Sequence, residues 1–299
     1  MQFVCLDLEW NTGVIPQTGK HINEIIEIGA VRLDKALRET DRFQCFVRTV
    51  LTKELNGLVR KLTNITNEQM LSGKSFEKAL GEFHDWLPDD CVVLTWSNTD
   101  LYTLADNCYS FLGGVSLPRL HWYVDLQRYA GDFLQVEKGR QISLSDAAIM
   151  LGIDVEALPL HRADEDSRLC AELLRRTYDE TAFQPYIQNA ADPEFFRRLT
   201  FRPVMLTDPG DPEIDQRLLE VKCPSCDRKT ARQGPWGSYN KAITGVFQCP
   251  SCKRKYKLIA RFKKHYDGVT VKRSVRLVPE PAGADSEKTP FARHTCSQT

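Results

Sequence analysis

Two copies of the tetrapeptide Cys-Pro-Ser-Cys constrain the C-terminal part of this 299-residue chain more than any other feature. They form the pairs Cys223–Cys226 and Cys249–Cys252, separated by 22 residues. Two such pairs supply four thiolates, the ligand set of a closed, tetrahedral structural zinc site. A redox function would need only one Cys-x-x-Cys pair. We therefore predict a zinc ribbon with one structural Zn²⁺, or iron in its place, whose folding depends largely on the bound metal.

Charge is segregated along the chain, although the formal net charge is zero. Residues 216–299 hold 18 Lys and Arg against 6 Asp and Glu, whereas residues 1–215 hold 22 against 34. Such asymmetry favours a basic module that faces nucleic acid, with two differently solvated domains as the alternative. The predicted nucleic-acid contacts in this module are Lys253, Arg254, Lys255, Lys263 and Lys264.

Aromatic side chains are interleaved with these cations, and exposed aromatics can stack on bases. Some of them must instead form the core of so small a module. Docking of a protein partner through the zinc ribbon is the main alternative to nucleic-acid binding.

The pattern of apolar residues predicts four segments. Short apolar strands followed by alternating helices indicate an α/β domain with a mixed sheet over residues 1–180. We expect a linker with short helical pieces over residues 181–215, the basic zinc ribbon over 216–278 and a disordered tail over 279–299. The chain shows no signal-peptide pattern and no apolar stretch of the ~18–20 residues that span a membrane. We therefore expect a cytoplasmic protein with no membrane partner.

Two carboxylates stand two residues apart on the first predicted strand, at Asp7 and Glu9. Alternate residues of a strand point to the same face, so both side chains emerge together. A solvated acidic edge is the ordinary explanation of such a pair. A divalent cation is the other, because Mg²⁺ prefers carboxylate oxygens combined with substrate phosphates.

Four segments in a fixed order resemble the DEDDh exonuclease family over about residues 1–180. They are FVCLDLEWN, NEIIEIGAVRL, LTNIT and HRADEDSRLCAEL. The resemblance implies a ribonuclease H-like fold, a mixed sheet flanked by helices. It also implies two Mg²⁺ or Mn²⁺ ions held by Asp7, Glu9, Asp100 and Asp166, with His161 as the general base.

Two motifs depart from the commoner family pattern. Trp96 followed four residues later by Asp100 resembles the ERI/KapD-type branch, many of whose members act on RNA. Asp106 is a weaker candidate for the same ligand. Trp10 and Asn11 replace the frequent Thr-Thr pair after the first acidic motif, and we expect them to contact nucleic acid.

The resemblance implies a metal-dependent 3′→5′ exonuclease that releases nucleoside 5′-monophosphates from single-stranded nucleic acid. RNA is slightly favoured over DNA. The alternatives are a nucleic-acid-binding adaptor with an inactive nuclease fold and a proofreading exonuclease associated with a DNA polymerase. Glu24 and Glu27, in the second segment, are assigned no catalytic role.

Overall fold

The computed structural model describes residues 1–115, 117, 119–137, 139–155 and 161–279. The chain divides into two compact units, Met1–Thr200 and Phe201–Thr299. Apart from Pro279, the predicted tail lies outside the described residues. Within the described part of the chain, no helix is both long and apolar enough to cross a membrane.

The first unit is a six-stranded mixed sheet with helices on its faces. Its strands are β1 (Gln2–Val14), β2 (His21–Leu33), β3 (Glu39–Phe46), β4 (Cys91–Thr95), β5 (Trp122–Asp125) and β6 (Gln188–Asn189), in the spatial order β3-β2-β1-β4-β5-β6. Its helices are α1 (Gly57–Thr63), α2 (Asn67–Ser72), α3 (Phe76–Trp86), α4 (Asn98–Asn107), α5 (Leu126–Phe133), α6 (Leu144–Met150), α7 (Ala163–Thr177), α8 (Glu180–Phe183) and α9 (Pro193–Thr200). Strands β1, β4 and β5 are parallel to one another, while β2, β3 and β6 run antiparallel to their neighbours.

Alternation along β1 supplies both hydrophobic cores of this unit. Val4, Leu6 and Leu8 are buried in one cluster with residues of α3 and α4. Phe3 and Cys5 are buried in a second cluster with residues of α5, α6 and α7. Burial on both faces explains why the strand is apolar almost throughout its first half. The predicted α/β ribonuclease H-like architecture, with helices flanking a mixed sheet, is confirmed.

Residues 181–215, predicted to be a linker with short helical pieces, do contain short helices, but the segment is divided between the two compact units and packs within them. Strand β6 pairs with β5, and the side chains of Phe183 and Phe195 are buried in the two cores of the first unit. Burying two aromatic rings is more favourable than leaving the segment extended in water. The first unit therefore continues to Thr200.

The second unit is built on an antiparallel sheet with strand order β11-β10-β9-β8. These strands are β8 (Ala231–Tyr239), β9 (Ala242–Gln248), β10 (Lys255–His265) and β11 (Gly268–Leu277), and β7 (Val204–Leu206) also pairs with β10. Of the aromatic residues in this sheet, Phe247, Tyr256 and Phe262 are buried, whereas Tyr239 is 60% exposed. Some of the aromatics thus form the core of the module and at least one faces solvent.

Candidate active site and cysteine centre

Three of the predicted carboxylates meet at the middle of the first unit's sheet. One oxygen each of Asp7, Glu9 and Asp166 can be chosen so that all three lie within 4.8 Å of one another. Asp7 and Glu9 emerge from β1, and Asp166 belongs to the first turn of α7. This spacing is compatible with oxygens that share a divalent cation.

Gly29 allows α7 to approach the sheet closely enough to form this group. It is paired with Asp7 across β1 and β2. A Cβ atom at Gly29 would lie 2.1 Å from the carbonyl carbon of Ala163, closer than any real contact. The start of the helix therefore rests directly on the backbone of β2, which brings Asp166 beside Asp7.

Asp100 lies next to the three carboxylates but is held separately. It sits in the first turn of α4, is 6% exposed, and accepts a hydrogen bond of 3.2 Å from the amide of Leu8. Leu8 stands between Asp7 and Glu9, so Asp100 lies against the same stretch of β1. The weaker candidate, Asp106, forms an ion pair of 2.6 Å with Lys20 instead.

Burial is the largest cause of the raised pKa of each of the four acidic groups. Other members of the group also raise the pKa values of Asp7, Glu9 and Asp100, whereas the carboxylates that raise the pKa of Asp166 are its helix neighbours Asp164 and Glu165. The pKa of Asp7 is well above its ordinary value because of burial and the nearby Asp100. Burial raises the pKa of Glu9 to about 8, that of Asp100 to about 7 and that of Asp166 to about 6. Four ionised carboxylates are therefore unfavourable here at neutral pH, and a bound divalent cation is the chemistry that would offset their repulsion. The donor set fits Mg²⁺ or Mn²⁺.

His161 immediately precedes α7 and has left-handed backbone geometry, with φ of 68°. Its amide donates a hydrogen bond of 3.0 Å to Oδ2 of Asp166. His161 is exposed to solvent. The structure therefore ties the predicted base to a predicted metal ligand through the backbone.

Sequence reasoning missed a buried ion pair that anchors this same helix end. Glu27 is fully buried and is paired across the strands with Glu9. Nε and Nη2 of Arg162 donate to its two carboxylate oxygens at 3.1 and 2.7 Å, and the amide of Ala163 donates at 3.3 Å. Gln44 donates a further hydrogen bond of 2.8 Å. The signal in the sequence was a glutamate inside an apolar strand, which must find a partner if it is buried.

Asn11 does not serve as the nucleic-acid contact that the sequence suggested. It is 1% exposed, and its amide donates to Oγ1 of Thr52 at 3.0 Å and to the carbonyl of Glu54 at 3.2 Å. Its side-chain oxygen accepts from the amide of Asn56. All of the polar atoms of its side chain are thus used inside the protein.

The residues next to Asn11 also have internal contacts. Its cross-strand neighbour, Glu24, accepts hydrogen bonds from the amides of Val50 and Leu51, so Asn11 and Glu24 together hold the loop after β3 in place. Trp10, which precedes Asn11 in the motif, is partly buried and packs against the core that contains Leu8.

The four predicted cysteine ligands converge in the second unit. Their sulfur atoms lie within 4.8 Å of one another, with Sγ–Sγ distances of 3.5 Å for Cys223–Cys252 and for Cys226–Cys249. A tetrahedron with Zn–S bonds of ~2.3 Å has sulfurs about 3.8 Å apart, so the cluster is compatible with zinc.

The two halves of this centre repeat the same backbone geometry. The amide of Cys223 donates to the carbonyl of Arg228 at 2.8 Å, and the amide of Cys249 donates to that of Arg254 at 3.0 Å. In each half, the residue after the second cysteine has positive φ, 53° at Asp227 and 62° at Lys253. A cluster that formed by chance would not be expected to match in this way.

The predicted cationic contacts are divided between different surfaces. Lys253 and Arg254 lie on the second cysteine turn, where Nη1 of Arg254 bonds to Ser225. Lys255 and Lys263 are exposed on β10. Lys264 forms an ion pair with Glu213, and alternation places it on the opposite face of β10 from Lys263. Lys264 is therefore not part of a common surface with the others.

Fold and site together are those of a nuclease whose carboxylates could hold divalent cations, and comparison with known proteins supplies the family. A family model described as an exonuclease, RNase_T, matches residues 4–174. Two proteins named DNA polymerase III PolC-type, from Thermotoga maritima and Thermotoga petrophila, are 30% and 29% identical over 177 residues. These matches cover 58% of this chain but only 12% of the relatives' length.

Two solved structures share the fold. The nuclease domain of 3′hExo, a DEDDh family member bound to rAMP, aligns with a TM-score of 0.50 and 22% identity, covering 58% of this chain and 90% of that one. A 3′-exonuclease solved for the 3′-end specific recognition of histone mRNA stem-loop aligns with a TM-score of 0.52 and 20% identity, covering 63% and 84%. The chain belongs to the exonuclease family, and the predicted DEDDh resemblance is confirmed.

Proposed function

We propose that this protein is a metal-dependent 3′→5′ exonuclease that releases nucleoside 5′-monophosphates from single-stranded nucleic acid. The observation that carries the proposal is the convergence of Asp7, Glu9 and Asp166 within 4.8 Å, with Asp100 against the same strand. These four residues would hold two Mg²⁺ or Mn²⁺ ions, which would lower the pKa of the attacking water and stabilise charge on the leaving 3′-oxygen.

The side chains of the protein have separate tasks in this proposal. His161 takes the proton from the attacking water, a step that typically contributes ~10²–10⁴-fold to the rate. Asp166, which accepts a hydrogen bond from the His161 amide, fixes the position of that residue relative to the ligands. Glu27 and Arg162 hold the start of α7 against β2, so that both groups stay in place.

RNA is the substrate that we place slightly ahead of DNA. The Trp96-x-x-x-Asp100 motif resembles a branch many of whose members act on RNA, and the two structural relatives named above were solved with rAMP or for histone mRNA recognition. Removal of nucleotides from DNA, as in proofreading, is the second candidate, because the sequence relatives are named as DNA polymerases. We also propose that the four cysteines bind one structural Zn²⁺, which would stabilise the second unit.

The test is degradation of matched single-stranded RNA and DNA oligonucleotides labelled at the 5′ end or the 3′ end, with Mg²⁺, Mn²⁺ or a chelator. We expect a metal-dependent ladder of 5′-labelled products that shortens from the 3′ end, and relative rates decide between RNA and DNA. Asp7→Asn should abolish the ladder, whereas the control Asp106→Asn, outside the carboxylate group, should retain it. Full activity in Asp7→Asn would refute the proposed centre, and tight binding without cleavage under any metal would favour an adaptor.

A further inference from the structure

One face of the second unit's sheet is cationic and lies opposite the core face. Along β10, the side chains of Tyr256, Leu258, Ala260 and Phe262 alternate into the core. The residues between them point the other way, and four of these five are exposed cations: Lys255, Lys257, Arg261 and Lys263. The row extends over about 27 Å, at ~3.4 Å per residue of antiparallel strand.

The pairing of β10 with β11 extends this face to a second strand. Arg276 is paired with Lys257, and Lys272 is paired with Arg261. Directly paired residues of an antiparallel sheet share a face, and both added cations are exposed. We call the six side chains, Lys255, Lys257, Arg261, Lys263, Lys272 and Arg276, the basic sheet face.

The arrangement is unfavourable for the fold taken alone. Like charges placed directly opposite each other on neighbouring strands destabilise a sheet. Among the described residues, none of the six forms an ion pair with a carboxylate. Cations on the core side of the same strands are satisfied internally: Lys264 by Glu213, and Arg273 by the carbonyls of Leu218 and Glu220. On the other face, Arg261 donates one hydrogen bond of 3.4 Å to the carbonyl of Asn240, so most of the uncompensated charge of these two strands lies on that face.

We propose that the basic sheet face binds the sugar-phosphate backbone of single-stranded nucleic acid. Two rows of unpaired cations are complementary to a polyanion, whose phosphates would relieve the repulsion between the paired cations. Tyr239 lies on the same face as these cations. It is paired with Ala242, whose side chain is on the same face of β9 as that of Thr244. Thr244 is in turn paired with Ile259, which lies between Lys257 and Arg261 on the cationic face of β10. This ring is 60% exposed and can stack on a base, which distinguishes nucleic acid from an acidic protein segment.

This inference deepens the proposed function by assigning a substrate-holding surface, but it concerns binding and does not require hydrolysis. We would therefore measure binding of a labelled 20-nucleotide oligouridine to the full, zinc-loaded chain without added Mg²⁺ or Mn²⁺, over a series of salt concentrations. The face variant is Lys257→Gln/Arg261→Gln/Lys272→Gln. The matched control is Lys222→Gln/Arg228→Gln/Lys229→Gln, which removes the same charge from exposed positions around the first cysteine turn.

Each phosphate contact with a single strand contributes about 0.7 to the slope of log K against log salt. Losing three contacts should reduce the slope of the face variant by about 2. If the wild type and the face variant bind equally near 1 M salt, where screening removes most of the electrostatic contribution, the variant should bind about 100-fold more weakly at 0.1 M salt. The control should keep the wild-type slope, and Lys257→Arg/Arg261→Lys/Lys272→Arg should retain binding because it preserves the charges. Tyr239→Ala should weaken binding without changing the slope.

An unchanged slope in the face variant would overturn the proposal, as would an equal loss in the control, which would assign the effect to net charge. Competition by polyglutamate as effective as competition by unlabelled oligouridine would also overturn it, in favour of an acidic protein partner. Failure of the cleavage assay would leave these binding results intact, since they are obtained without the Mg²⁺ or Mn²⁺ that cleavage would need.

Discussion

Replacing Arg162 by alanine tests whether the buried ion pair positions the catalytic end of α7. The change leaves the carboxylate of Glu27, which is fully buried, without its bidentate partner. Breaking a buried pair from one side typically destabilises a protein by about 3–5 kcal/mol, because a buried charge is left uncompensated. At ~2–4 °C per kcal/mol for a unit of this size, the melting temperature of the first unit should fall by about 6–20 °C.

The effect on catalysis should be separable from the loss of stability. Arg162 lies between His161 and the first residue of α7, so its loss frees the segment that carries both the proposed base and Asp166. Loss of a residue that orients metal ligands typically costs ~10–100-fold in metal affinity or activity. We would measure kcat, KM and the Mg²⁺ dependence of the rate well below the melting temperature. We expect lower kcat and weaker metal dependence, with KM for the oligonucleotide little changed.

The control is Arg168→Ala on the same helix, which removes a partly exposed ion pair with Glu165. Ion pairs that remain accessible to water contribute about 0–1 kcal/mol, so this variant should melt and cleave nearly as the wild type does. The double variant Glu27→Gln/Arg162→Ala should lose less stability than the two single variants added together, because no unpaired charge remains. Equal behaviour of Arg162→Ala and Arg168→Ala would refute the argument.

Three further predictions concern the approach of α7, the acidic group and the cysteine centre. Gly29→Ala should reduce activity by about 10²-fold, since the new Cβ displaces α7, whereas Gly81→Ala, which meets open space on α3, should be tolerated in the same cleavage assay. In the metal-free protein, burial raises the pKa of Glu9 to about 8 and that of Asp100 to about 7, so the folded state keeps protons that the unfolded chain releases above about pH 4.5. Stability should therefore fall as pH rises from about 5 to 8, and calorimetry should show that Mg²⁺ raises the melting temperature more at pH 8 than at pH 5.5. Cys252→Ser should lose bound zinc, measured by elemental analysis, and should unfold the second unit.

The sequence anticipated parts of the candidate site, through strand alternation for one pair of acids and through the family resemblance for the others. Asp7 and Glu9 share a face through strand alternation, and Asp100 and Asp166 both lie in the first turn of a helix. Alternation also separates Lys263 from Lys264, although the sequence prediction grouped them. The basic sheet face as a whole needed the register between β10 and β11, which a single sequence does not contain.

Other features depended on contacts between distant segments. Glu27 and Arg162 are 135 residues apart, and neither residue belongs to a pattern that would indicate its partner. Asn11 was expected to contact nucleic acid because of its position in the first motif, but its side chain is buried and bonded to the loop after β3. Alternation would not have revealed this, because the pairing register of β1 shifts between Glu9 and Trp10, and such an irregularity changes which way the following side chains point. The sequence also does not show which loop would accept hydrogen bonds from the side-chain amide of Asn11.

The contrast between Glu27 and the four acidic site residues bears on whether the fold is an active enzyme or an inert scaffold. Glu27 is as deeply buried as any of them, yet the protein supplies it with a guanidinium, an amide and a glutamine side chain. Asp7, Glu9, Asp100 and Asp166 form no ion pair with a lysine or arginine among the described residues, and their pKa values are all raised. A fold that supplies partners to one buried carboxylate could also supply partners to the others, or could have uncharged residues in their place. In an adaptor without a metal, the repulsion among the four carboxylates would lower stability with no functional gain. A divalent cation would remove that repulsion, and we infer that the four carboxylates bind one.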